Sequence, residues 1–328
     1  MTEVPERNLG LELARVTESA AIAGARWQGR GDKEAADQAA VDAMRIILST
    51  IDIDGTIAIG EGEKDEAPML YNGEKVGTGF GPKVDVAVDP IDGTSLTAAG
   101  QPGALAVIAL AEAGTMYSPG SLVYMDKIAV GPEAAGWIDI EAPVQHNLRQ
   151  VAKARDKDIE DLTAIILDRP RNQPFIDAVR TAGARIRLIS DGDVSGAIST
   201  AEPDSGIDIL FGIGGSPEAV IAAAALTAME GEIQCKLWPR DESEHRYAAD
   251  NGHDLDKILT LKDLVSGKNI FFAATGVTDG ELLQGVDFFG HGATTHSVVM
   301  RSKTGSIRFM HARHNLDRLD RLKGTLDE

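Results

Sequence analysis

Val84-Asp85-Val86-Ala87-Val88-Asp89-Pro90-Ile91-Asp92-Gly93-Thr94 is the stretch that decides how this chain folds. Val84 to Val88 reads as a short buried strand, and Asp89-Pro90 ends it, because proline cannot donate to a sheet ladder. Two acids and a hydroxyl then follow within six residues. Packing carboxylates together after a strand costs desolvation and mutual repulsion unless a partner offsets both. Loops at strand ends are where α/β folds carry their ligands.

The same arrangement occurs upstream. Ile57-Ala58-Ile59 reads as a strand and runs into Gly60-Glu61-Gly62-Glu63. Carboxylate oxygens suit the hard cations Mg2+ or Mn2+, and glycines let a backbone approach a metal or phosphate closely. The plain alternative for either segment is a polar turn.

Around these loops the elements alternate. Apolar residues at three- and four-residue steps predict a helix over 9–27, broken by Gly29-Arg30-Gly31. Asp32 reads as the N-cap of a second helix over 33–48. Strands are expected at 105–111 and 127–130, the latter stopped by Gly131-Pro132. Further on, strands at 164–167, 185–189 and 208–211 are separated by helices over 173–182 and 194–200, and a helix over 217–229 follows. Late strands at 270–274, 295–301 and 306–310 follow, the last two as a hairpin around Lys303-Thr304-Gly305. The tail 311–328 reads as a surface helix or frayed end. This is an α/β fold, an α+β layered arrangement. It is expected to divide into a metal-binding N-terminal lobe, 1–145, and a C-terminal lobe, 146–328, the boundary falling in the charged stretch 140–162.

Two more segments carry chemistry. Gly212-Ile213-Gly214-Gly215-Ser216-Pro217-Glu218 leads from a strand into a helix, with Ser216 as expected N-cap and Pro217 at the first helical position. No Gly-Lys-Ser/Thr follows, so it is not a P-loop. Asp168-Arg169-Pro170-Arg171 and Asp191-Gly192-Asp193 follow neighbouring strands. Arginines there suit phosphate and aspartates suit sugar hydroxyls, a solvated salt-bridge cluster being the alternative.

Composition sets limits. The chain has 328 residues, 43% hydrophobic, with 32 basic and 51 acidic side chains and a formal net charge of −19. That composition excludes a disordered chain, and the charge argues against nucleic acid or an anionic membrane as partner. One cysteine, Cys235, leaves no internal disulfide, which fits the cytoplasm. It reads as a small buried hydrophobe. Met1 to Asn8 lacks the apolar core of a signal peptide, and no apolar run reaches membrane-spanning length.

Taken in order, these segments resemble the class II fructose-1,6-bisphosphatases, within the lithium-sensitive, metal-dependent sugar phosphatases. The resemblance runs over roughly residues 7–310. It also includes Arg15-Val16-Thr17-Glu18-Ser19-Ala20, Gly31-Asp32-Lys33 with Asp37, Tyr124-Met125-Asp126-Lys127 and Ala274-Thr275-Gly276-Val277-Thr278. It implies a fold of two closely packed lobes, sheets sandwiched by helices. It implies Asp37, Glu61, Asp89, Asp92 and Glu218 as ligands of Mg2+ or Mn2+. Substrate contacts fall on Asp92-Gly93-Thr94, Tyr124, Arg169-Pro170-Arg171, Asp191-Gly192-Asp193 and Gly215. Thr94 would help activate the attacking water, Asp89 would serve catalysis by bridging the metal pair, and Lys33 would sit near the reacting phosphate. Arg169 stands where the family often has Lys, and Asp92 where some members have Glu. The implied reaction is gluconeogenic hydrolysis of fructose 1,6-bisphosphate to fructose 6-phosphate, in a homodimer or homotetramer.

Related alternatives are a sedoheptulose 1,7-bisphosphatase or inositol monophosphatase-like activity. Asp52-Ile53-Asp54-Gly55-Thr56 offers a different chemistry. Asp-x-Asp-x-Thr is the nucleophile signature of haloacid dehalogenase phosphatases, which form an aspartyl-phosphate. That signature needs the acid at a strand's carboxyl end, whereas Asp52 reads as a turn leading into a strand. A non-enzymatic sugar-phosphate-binding protein would account for the glycines and arginines but not for acids converging with a threonine.

Overall fold

The computed structural model describes residues 8–62 and 69–319. Glu63, the residues before Asn8 and the tail from 320 onward lie outside the described residues.

In chain order the strands are β1 (Asp54–Ile59), β2 (Lys75–Val76), β3 (Lys83–Asp92), β4 (Leu105–Glu112), β5 (Tyr124–Val130), β6 (Thr163–Leu167), β7 (Arg185–Ile189), β8 (Ile209–Gly215), β9 (Glu232–Leu237), β10 (Leu259–Thr260), β11 (Phe271–Gly276), β12 (Asp287–Phe289), β13 (Gly292–Arg301) and β14 (Ser306–Asn315). The helices are α1 (Gly10–Ala25), α2 (Lys33–Leu48), α3 (Thr94–Ala99), α4 (Val144–Ala154), α5 (Gln173–Ala182), α6 (Asp193–Ser199), α7 (Ser216–Ala228), α8 (Glu242–Asp250) and α9 (Leu261–Leu264). They build two sheets. One runs β12-β13-β11-β4-β3-β1-β2, with β14 paired to β13, and the other runs β10-β9-β5-β8-β6-β7.

Three apolar cores stack these sheets in layers. α1 and α2 cover one face of the first sheet, joining Leu13, Val16 and Met44 to Val86, Ile108 and Phe271. α4 and α5 cover the outer face of the second, joining Leu148, Val151, Ile176 and Val179 to Ile128, Ile166 and Phe211. Between the sheets lies α7, whose run from Ala219 to Leu226 is buried. A helix apolar on every side has no face to give to water, so it settles between two sheets. It packs on Val107 and Phe272 of one and on Ala129 and Ile233 of the other. The architecture is thus helices, sheet, a central helical layer of α7 with α6 and α9, sheet, helices, in agreement with an α/β fold of sheets sandwiched by helices.

The expected helices over 173–182 and 33–48 form as read, and Asp32 caps the latter by accepting the Ala35 N–H at 3.0 Å. The chain crosses between sheets after β4 and again before β11, so the first sheet draws its strands from both ends of the chain. Several expectations about single elements are corrected. The charged stretch 140–162 contains α4, whose Leu148 and Val151 are fully buried. The tail is not helical at its start: β14 continues to Asn315, paired along its length with β13. The glycines of 212–215 belong to β8, and Gly215, not Ser216, is the N-cap of α7.

Candidate active site

Strand direction gathers the site. β1 and β3 run parallel, so Glu61 and the Asp89–Thr94 segment leave the first sheet at one edge. In the second sheet β6 is parallel to both β7 and β8, and β5 runs antiparallel to β8 and β9. The ends of β6, β7, β8 and β9 and the start of β5 therefore share an edge. That edge carries Arg169–Arg171, Asp191–Asp193, Gly215, Arg240 and Tyr124. The two edges face a cleft of about 670 Å3. Of the residues singled out in the sequence, Lys33, Asp37, Glu61, Asp89, Asp92, Gly93, Thr94, Asp191 and Glu218 line it.

Pro90 does not end β3 as expected. Asp89 pairs with Val107 and Asp92 with Leu105, three residues against two. One extra residue makes a β-bulge, the setting in which a sheet tolerates proline. Residues three apart in a regular strand point to opposite faces, and the bulge restores both acids to the same side. Gly93 then turns the chain at φ 102°, a value that L side chains resist, and Thr94 opens α3. Among the described residues the Thr94 hydroxyl makes no hydrogen bond to a carboxylate.

The acids repel one another. Burial, then Asp37 and Glu218, push Glu61 up to about 8. Burial, then Asp193, push Glu218 up to about 7. Asp89 and Asp92 are raised well above the usual carboxylate range, by burial first and then by each other or by neighbouring acids. Asp37 is raised by burial. Asp92 Oδ2 and Glu218 Oε2 are buried with no hydrogen-bond partner among the described residues. Hard oxygen donors with orphaned lone pairs and mutual repulsion fit a divalent cation. Among the described residues, no three acids are grouped tightly enough to hold an ion as they stand.

The second sheet supplies what lies behind and beside the acids. Asp193 is not free to meet a sugar: its carboxylate accepts a 2.6 Å bond from Lys127 Nζ, and both side chains are buried. Gly192 is buried at φ 81°, and its backbone lies beside Asp92 Oδ2. Tyr124, Arg169, Pro170, Arg171 and Gly215 do not line the cleft. Arg171 stacks on Tyr124, guanidinium carbon 4.2 Å from the ring centroid, and donates Nε–H to Ile213 O at 2.9 Å. Arg169 turns back to the Asp168 carbonyl at 3.3 Å.

Gly215 touches the site through space. A Cβ there would stand 1.8 Å from Glu218 Oε2. Gly215→Ala is expected to displace that carboxylate, weakening divalent-cation binding about tenfold while the far-ultraviolet circular dichroism stays unchanged. Cation titration with calorimetry checks this, and unchanged affinity would show that Glu218 is not a ligand.

Sequence reasoning gave no role to Lys127 or Arg240. A lysine within the apolar run Lys127–Val130 was a readable signal, since buried lysines need a partner. Arg240 carried none; it lines the cleft through the path of the chain after β9. Cys235 is buried, and its thiol is pushed up to about 12 by burial first, the state of an inert core residue. No helix among the described residues is long and apolar enough to cross a membrane.

Residues 7–314 match the family described as bacterial fructose-1,6-bisphosphatase, glpX-encoded. The chain is 47% identical to fructose-1,6-bisphosphatase 1 class 2 of Escherichia coli strain K12, over 96% of this chain and 97% of that one. Identity and coverage are the same for fructose-1,6-bisphosphatase class 2 of Escherichia coli O6:H1 and of Shigella flexneri.

Proposed function

The chain belongs to the class 2 fructose-1,6-bisphosphatase family, and from that premise we propose that it hydrolyses the 1-phosphate of fructose 1,6-bisphosphate, a gluconeogenic step. The products are fructose 6-phosphate and inorganic phosphate. The observation that carries this reading is the convergence of Asp37 from α2, Glu61 after β1, Asp89 and Asp92 from β3 and Glu218 from α7 on one cleft. In this reading those acids hold Mg2+ or Mn2+, which polarises the phosphate and acidifies bound water.

The chain's own groups do the rest. Lys33, exposed at the rim, draws in the anionic ester. Thr94 orients the attacking water from the start of α3 and helps to activate it, while Asp89 serves catalysis as one of the acids that would hold the cation. Tyr124 and Arg171, with Arg169 and Asp191 beside them, hold the remote end of the sugar, so that binding energy far from the bond being cleaved fixes its position. Gly93, Gly192 and Gly215 keep backbone close to the site, and Asp193 acts through Lys127. Self-association to a homodimer or homotetramer belongs to the same reading. Ile307 and Phe309, exposed on β14, offer it apolar surface, and sedimentation velocity tests it.

The deciding assay is release of phosphate from fructose 1,6-bisphosphate with Mg2+ or Mn2+ and its loss with a chelator. No release with either cation would sink the proposal. Thr94→Ala is expected to lose about 10²–10⁴-fold in kcat while cation binding persists. Wild-type turnover in that variant would remove Thr94 from the mechanism.

Asp52→Asn is expected to be nearly silent. Asp52 precedes β1 and Glu61 follows it, about 20 Å apart at 3.3 Å per residue. The Asp52 carboxylate accepts from Thr78 at 3.2 Å and does not line the cleft. Loss of activity in this variant would point instead to an aspartyl-phosphate route.

A further inference from the structure

Lys33 and Arg240 are the two cations among the described residues that line the acidic cleft. Lys33 is exposed at the rim. Arg240 is fixed in place. Glu244, buried in the first turn of α8, accepts the Arg240 backbone N–H at 2.7 Å and its Nε–H at 2.6 Å, and lies 2.5 Å from a terminal nitrogen. Asp241, the N-cap of α8, accepts the Ser243 and Glu244 N–H groups and sets the start of that helix. The Arg240 side chain nevertheless remains 48% exposed.

A carboxylate occupying one edge of a guanidinium leaves the other N–H groups free for a second anion. Arg171 is held the same way, its Nε–H committed to the Ile213 carbonyl. Both guanidiniums pack on the same phenol: Arg171 at 4.2 Å and Arg240 at 5.9 Å from the Tyr124 centroid. Two guanidiniums beside one ring, each with its Nε edge taken, are the chemistry that a multiply charged oxyanion could share. Arg240 lines the cleft and also packs on Tyr124, which lies outside that lining, so the oxyanion would sit where the cleft passes toward Tyr124.

We propose that Arg240 is a specificity-determining residue that grips the uncleaved phosphate of the sugar bisphosphate jointly with Arg171, and that Glu244 is the residue positioning it. This rests on the function proposed above. It adds what makes a bisphosphate preferable to a monophosphate: the distal phosphate meets a preorganised guanidinium fork, whereas a sugar lacking it leaves that fork unpaired.

Two product-like esters separate the ends of the site. Fructose 6-phosphate carries only the distal phosphate and fructose 1-phosphate only the cleaved one. Each is titrated calorimetrically into the Mg2+-loaded wild type and into Arg240→Lys, Glu244→Gln and the double variant Arg240→Met/Glu244→Leu, which leaves no buried charge unpaired. The ratio of affinities, 6-phosphate over 1-phosphate, is expected to fall about 10- to 100-fold in the double variant. A smaller fall is expected in Glu244→Gln, and Arg240→Lys is expected to keep part of the preference. A merely structural brace would weaken both esters together and leave the ratio unchanged, which overturns the inference. A wild type that binds neither ester also overturns it. Failure of the wild type to release phosphate from fructose 1,6-bisphosphate, with the binding ratio behaving as expected, would instead bring down the proposed reaction alone.

Discussion

Asp89→Asn is expected to abolish turnover and, in the same molecule, to stabilise the cation-free protein. Asp89 sits among Asp92, Glu61, Glu218 and Asp37, each of which pushes its carboxyl further up after burial has raised it. Asparagine keeps the shape and removes the charge. With the cation site disarmed, the phosphate loses Lewis-acid stabilisation worth several kcal/mol, or about 10³-fold in kcat. Without cation, the remaining acids lose a like-charged neighbour, and Tm should rise, by about 2–4 °C for each kcal/mol relieved. Differential scanning calorimetry with chelator and a phosphate-release assay with Mg2+ read the two effects. A variant that keeps more than about a tenth of wild-type kcat, or whose cation-free Tm falls, contradicts this account of Asp89.

The same cluster fixes the sign of the pH dependence. A carboxyl whose folded pKa is raised binds its proton more tightly folded than unfolded, so its contribution to stability is present at low pH. It is lost as pH rises from the ordinary value of 4.5 through about 7 for Glu218 and about 8 for Glu61. The cation-free protein should therefore lose Tm progressively between pH 5 and 8. Saturating Mg2+ should flatten that slope by favouring the charged carboxylates. A cation-free Tm that climbs over this range would contradict the crowding.

Lys127→Met is expected to be the most damaging substitution for stability. Burial alone would lower the Lys127 pKa, but Asp193, then Glu218, hold it above its ordinary value. Its Nζ meets Asp193 at 2.6 Å beneath the glycines of β8, and a Cβ on Gly214 would stand 2.0 Å from Asp193 Oδ2 and 3.0 Å from Lys127 Nζ. Methionine leaves Asp193 buried and unpaired, at a cost of about 3–5 kcal/mol, against about 5–15 kcal/mol of total stability in a typical domain. Chemical denaturation should show it as a lower midpoint with an unchanged slope. The double variant Lys127→Met/Asp193→Leu should recover most of the loss, because replacing both charges with apolar groups removes the uncompensated one. If Lys127→Met alone lost less than about 1 kcal/mol, the pair would not be the anchor of this edge.

Several elements were legible without coordinates because each depends on neighbours close in sequence. α1 followed from apolar residues at three- and four-residue steps, α2 from its Asp32 cap, and the β13–β14 hairpin from Lys303-Thr304-Gly305, where Gly305 takes φ 57°. The acids of the cleft were legible for a similar reason, since carboxylates concentrated after short apolar strands are costly without a cation. α4 was missed because its few apolar residues are diluted by charged ones facing water. The bulge in β3 was missed because proline signals only that a ladder bond is lost, whereas β4, across the ladder, decides whether the strand resumes.

By itself the sequence determined the net charge of −19, the order of the strand-end loops and the types of donor they present. Those are properties of residues and short segments. Only the tertiary structure decided which loops meet, because that depends on the direction of strands far apart in the chain. It committed Asp193 to Lys127 rather than to solvent and brought Arg240, from the end of β9, into a cleft lined by acids. It also set the sign of the local field. In the proposed reading the acids on one side of the cleft would gather a cation for an anionic ester, with Arg240 on the other, and that separation exists only once the two sheet edges are packed against one another.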